Sequence, residues 1–99
     1  MVELHGEMDI ATVDVVTAHL DAATAGQRPS VLVDLSAVTF IDCAGMGPIR
    51  RAWRRALERG GRLTLVCSDP RTLRILRLTG LTPAVAVVPL TATALRQGA

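Results

Sequence analysis

The chain of 99 residues is poor in the side chains that carry chemistry: two cysteines, two histidines and two aromatic residues, Phe40 and Trp53. Cys43 and Cys67 are too few and too far apart in sequence for a metal cluster or a disulfide scaffold, and are expected as reduced thiols. His5 and His19 lack a neighbour at metal-ligand spacing, so neither a metal nor a cofactor is expected. With so few aromatic rings on which bases would stack, nucleic-acid binding is not expected. The apolar runs, such as VLVDL at 31–35 and RLTLVC at 62–67, are far shorter than the roughly 18 residues of a membrane span. The start, MVELHGEMD, has no positive segment followed by an apolar one, which argues against a secretory signal and for a cytoplasmic location.

What is present is apolar and periodic. Hydrophobic residues make up 49% of the chain, enough for one compact domain spanning 1–99. Strand-like and helix-like segments alternate, which predicts an α/β domain with parallel pairings. The first strand is expected over about Val2 to His5, turning at Gly6, with an N-terminal edge strand short or missing. Val13, Val16, Leu20 and Ala23 recur at helical spacing between Thr12 and Ala25, and Gly26 supplies a stop. VLVDL reads as a central strand buried on both faces. A second helix over Met46 to Arg59 would bury Met46, Ile49, Trp53, Ala56 and Leu57 and end at Gly60 and Gly61. RLTLVC reads as a third strand. Ser68 or Asp69 as N-cap and Pro70 in the first turn then open a helix that closes on Gly80. AVAVVP at 84–89 predicts a last strand, and TATALRQGA at 91–99 a short helix.

The turn FIDCAGMG at 40–47 concentrates the candidate chemistry. Asp42 at a strand-to-helix junction has no histidine or second carboxylate at acid–base spacing, so no catalytic residue and no enzymatic activity are expected; its role is that of an N-cap. Cys43 is either a small residue tolerated at the turn or a thiol activated by a helix N-terminus, with Cys67 as a neighbour at the same sheet edge. Asp9 is open to turn chemistry or an interface role. All eleven basic residues are arginine for a net charge of +2, and Arg50, Arg51, Arg54, Arg55 and Arg59 crowd one segment. They form either a solvated helix face or a docking surface for acidic groups.

GEMD at 6–9, VLVDLSAVTFIDCAGM at 31–46, GGRLTLV at 60–66 and ILRLTGL at 75–81 together resemble the STAS domain of bacterial anti-sigma-factor antagonists, in the expected order and over nearly the whole chain. The resemblance implies an SpoIIAA-like fold: a mixed sheet of about four to five strands with about four helices mainly on one side. It also implies a binding module, monomeric or weakly dimeric, that docks on an anti-sigma factor, in some cases a serine kinase of the GHKL type, and thereby frees a sigma factor. In phosphorylated members of that family a serine follows the motif's Asp; here Cys43 and then Ala44 stand instead, and neither offers a hydroxyl. The usual phosphorylation switch is therefore not expected. The partner-facing residues that the resemblance implies are Asp9, Asp42, Cys43, Ala44, Gly45, Met46, Gly47, Arg50 and Arg51, with Met46 partly exposed for contact. The alternatives are a scaffold module in a signalling assembly and a thiol-based redox sensor through Cys43.

Overall fold

A computed structural model describes residues 1–89. Four strands, β1 (Val2–Met8), β2 (Ser30–Ile41), β3 (Arg62–Val66) and β4 (Ala86–Val88), alternate with three helices, α1 (Val13–Ala23), α2 (Cys43–Glu58) and α3 (Pro70–Leu78). The sheet order is the chain order, and every pairing is parallel. The sheet is thus more uniform than the mixed one expected, because each described strand reaches its neighbour through a helical crossover, which returns the chain in the same direction. Of about four helices expected, three fall within the described residues, and the helix expected over 91–99 lies outside them.

Alternation along the strands separates two faces. Leu4, Met8, Val31, Val33, Leu35, Leu63 and Leu65 are buried together with Val16, Leu20, Met46, Ile49, Ala52, Ala56 and Leu76 of the helices. On the other face of β1, Glu3, His5 and Glu7 are exposed, and Leu32 and Asp34 of β2 are only half buried. The expectation that VLVDL is buried on both faces is corrected: its core face carries Val31, Val33 and Leu35, and Asp34 belongs to the other. Strand β1 does not stop at Gly6. That glycine takes φ +76° within the strand, beside a register shift, and pairing continues to Met8 opposite Ile41. A left-handed residue absorbs the irregularity, which only glycine does without strain.

The buried stripe of α2 runs through Met46, Ile49, Ala52 and Ala56, with Trp53 half buried on its flank. Leu57, expected inside, is 50% exposed because it lies one residue beyond Ala56 and rotates off the stripe. Ala52 and Ala56 keep the contact face thin, and α1 packs against α2.

Two arginines of α2 tie that pair together. Arg51 donates from Nε and a terminal nitrogen to the two carboxylate oxygens of Asp21 at 3.0 and 3.1 Å. Arg55 donates to the Thr24 hydroxyl at 3.0 Å and to the Asp21 carbonyl at 3.3 Å. The last turn of α1 has no basic residue of its own, so α2 supplies the positive charge that a helix C-terminus favours. The Arg51 guanidinium holds the Asp21 carboxyl below its ordinary range, chiefly by hydrogen bonding. A carboxylate depressed in the folded state stabilises the protein above its unfolded pKa, and that contribution disappears as pH falls through the folded value. In urea unfolding followed from pH 6 down to about pH 3, a range set by ordinary carboxylate values, Asp21→Asn should lose less stability on acidification than the parent. Equal acid sensitivity of the two proteins would show that the pair contributes nothing.

Candidate functional site

In a sheet whose strands are all parallel, the carboxyl ends lie along one edge, where the connecting turns are free to vary. Here that edge holds the turn from β1 to α1 and the turn from β2 to α2 side by side. The Asp42 amide donates to the Met8 carbonyl at 3.3 Å, and α2 begins immediately afterwards.

Asp42 is extended, and its side chain accepts from the Gly45 amide at 3.0 Å, the N-cap geometry expected from sequence. The helix starts at Cys43, a few residues before the expected Met46. Replacing Asp42 with alanine leaves that amide without its partner and should cost about 1 kcal/mol of stability. Chemical denaturation measures it, and an unchanged midpoint would show that water caps the helix equally well.

Gly45 is present for a steric reason. A Cβ there would stand 2.2 Å from the Met8 carbonyl oxygen, so the first turn of α2 is seated directly on the β1 backbone. Gly47 meets nothing within 4 Å and points outward. Met46 is 2% exposed, which corrects the expectation of a partly exposed contact residue: the same seating drives its side chain into the core. Pro48, also buried, lies inside the helix and has no amide to donate to the Ala44 carbonyl. The exposed residues of the first turns of α2 are therefore Cys43, Ala44 and Gly47, uncharged and small, beside the half-exposed Phe40 at the end of β2.

Asp9 makes the turn bond foreseen for it, accepting from the Ala11 amide at 3.0 Å, while Thr12 donates to the carbonyls of Glu7 and Asp9. Beside it Ile10 is 82% exposed, an apolar residue at this edge that residue-type reasoning passed over. Arg50 and Arg51, candidates for meeting a partner, are engaged within the chain: Arg50 donates to the Thr79 carbonyl after α3, and Arg51 holds Asp21. The periodicity that put them on one helix did not reveal these acceptors, which come from distant segments.

The cysteines separate. Cys43 is exposed, Cys67 is buried, and both are free thiols, so they do not form the neighbouring surface pair envisaged for the sheet edge. Cys67 follows β3 with its side chain turned into the core, and burial pushes its thiol up from the ordinary value. Titration of the native protein with an aromatic disulfide at pH 8 should therefore modify one thiol rapidly, with the second appearing only in denaturant. Two fast thiols would contradict the burial of Cys67. Among the described residues no group of three or more His, Cys, Asp or Glu is placed to hold a metal ion, and no helix is long and apolar enough to cross a membrane.

Comparison with known proteins agrees with this architecture. The family model described as STAS domain matches residues 1–94. The anti-sigma F factor antagonist of Paenibacillus polymyxa is 28% identical over 82 residues, 82% of this chain and 70% of that protein. The crystal structure of an anti-sigma factor antagonist from Mycobacterium paratuberculosis superposes with a TM-score of 0.80 at 27% identity, over 96% of this chain and 80% of that one. The anti-sigma factor antagonist SpoIIAA in its unphosphorylated form superposes with a TM-score of 0.71 at 18% identity, over 96% and 83%, a likeness of fold.

Proposed function

The chain belongs to the STAS domain family, and from that membership we propose that it is an anti-sigma-factor antagonist that works by docking alone. The turn at the start of α2 meets an anti-sigma factor, stabilises a state of that partner unable to hold its sigma factor, and so frees the sigma factor by differential affinity. No bond is made or broken in this reading, and the protein is a binding module of the cytosol, not an enzyme.

One observation carries the proposal. The exposed positions that open α2 are Cys43 and Ala44, neutral and without a hydroxyl, on a turn held rigidly by Asp42 and Gly45. A phosphate there would add roughly −1.5 to −2 charges to a surface that packs against a partner. Lacking an acceptor for it, the turn stays in its docking form whether or not the partner is a kinase. A sensor that pairs Cys43 with Cys67 receives no support, since Cys67 is buried.

Affinity capture from the native cytosol, with bound proteins identified by mass spectrometry, tests the proposal. An anti-sigma factor is expected among them, and incubation with it and ATP should leave the chain's mass unchanged. Recovery of copies of the chain alone, or of an assembly without an anti-sigma factor, would overturn the reading in favour of a scaffold role.

A further inference from the structure

The opposite edge of the sheet, where β2 and β3 begin, carries a second concentration of chemistry. Ser30 and Arg62, the first residues of these strands, are paired in register. With Arg28, Pro29, Gly60 and Gly61 they line an open notch of about 360 Å³. Arg59 adjoins it, its carbonyl accepting from the Arg28 amide at 3.0 Å. Two arginines from two chain segments, Arg28 and Arg62, thus line one place, and neither they nor Arg59 make an ion pair among the described residues.

The backbone around the notch is fixed tightly. The Arg62 amide donates to the Pro29 carbonyl at 2.8 Å, and a Cβ on Gly61 would stand 2.0 Å from that same carbonyl oxygen. Arg28 is held at φ +48°, the left-handed region that an L side chain enters at a cost. Arg55 already stands in the last turn of α2 to meet its negative end, and Arg28 and Arg62 bring two further positive charges to the notch. The nearest carboxylate in sequence, Glu58, faces a separate depression with Arg51, Arg54 and Arg55.

We infer that the notch formed by Arg28, Ser30 and Arg62, with Arg59 beside it, is a binding site for a phosphate-bearing anion. Guanidinium groups present planar, paired donors that match phosphate oxygens, and the Ser30 hydroxyl adds a further donor. The amides of Gly60, Gly61 and Arg62 are already bonded within the chain, so the side chains supply recognition. Soluble phosphates and anionic lipid headgroups share this chemistry. The site lies at the sheet edge away from Asp42 and Cys43 and does not depend on the docking proposal.

Pyrophosphate titrated into the ¹⁵N-labelled chain is expected to shift the amides of residues 28–30 and 59–62. Arg28→Gly, which suits the left-handed backbone, and Arg62→Gln should each weaken binding about tenfold, the loss of one charge-assisted contact. Arg74→Ala on the exposed side of α3 should leave it unchanged. Sedimentation with vesicles of phosphatidylglycerol and phosphatidylcholine runs in parallel with the same variants. Pyrophosphate binding with this pattern supports the site and assigns it a soluble phosphate; vesicle binding with this pattern and no response to pyrophosphate supports it and assigns a headgroup. Absence of both, or an equal loss in Arg74→Ala, would overturn the site as a nonspecific effect of positive charge.

Discussion

Replacing Cys43 with glutamate should lower the affinity for the anti-sigma factor by about 100-fold, the order expected when an unpaired charge must be desolvated in an interface. Cys43 is the first residue of α2 and is exposed, so the substitution removes no core contact. A carboxylate at a helix N-terminus is if anything favourable, by about 0.3–1 kcal/mol. Weakened docking therefore cannot be blamed on unfolding, and thermal melts of the two proteins should coincide closely. Cys43→Ser, which restores a hydroxyl without charge, should bind as the parent does and, with a kinase partner, become a substrate for it. Titration calorimetry with the purified anti-sigma factor reads all three proteins. Undiminished binding by Cys43→Glu would move the docking surface away from this turn.

The largest effect on stability is expected at Gly45. An alanine Cβ would stand 2.2 Å from the Met8 carbonyl oxygen and 2.8 Å from its carbon, both backbone atoms that no rotamer change displaces. Either the first turn of α2 or the end of β1 must move, and Met46, Ile49 and Met8, all nearly inaccessible to solvent, move with them. Overpacking of this kind costs about 3 kcal/mol, a large share of the roughly 5–15 kcal/mol that holds a domain of this size. Gly47, two residues on, is the control: it meets nothing within 4 Å, and alanine there should stabilise α2 by up to about 1 kcal/mol through helix propensity. Urea denaturation of the two variants should move the midpoint in opposite directions. A Gly45→Ala protein as stable as the parent would mean that the close seating of α2 on β1 is not needed.

The two experiments address one arrangement. The small, neutral surface of Cys43, Ala44 and Gly47 is useful for docking only if it is held still, and Gly45 and Asp42 hold it by direct contact with β1 and by capping. Binding through a preorganised turn avoids the ordering cost that a loose loop would incur.

Much of this was legible in the chain. Alternation of strand and helix patterns prescribed the parallel crossovers; Asp42 and Asp69 announced their caps, and Asp9 its turn bond, because these depend on residues within three positions of each other. The motif DLSAVTFID carried the resemblance to the STAS family, and the pair Cys43–Ala44 showed by residue identity alone that the turn proposed for docking has no hydroxyl there. Tertiary structure decided the rest, since each remaining feature joins segments distant in sequence. Gly45 reads as a flexible residue until the Met8 carbonyl is placed against it, and Met46 as a contact residue until that seating turns it inward. Arg50 and Arg51 read as members of a charge run until Thr79, after α3, and Asp21 of α1 supply their acceptors within the chain. Cys43 and Cys67 look like partners until one faces solvent and the other the core. Local hydrogen bonds and periodicity are written in neighbouring residues, whereas burial and the choice of a charged partner are settled only when the sheet brings far-apart residues together.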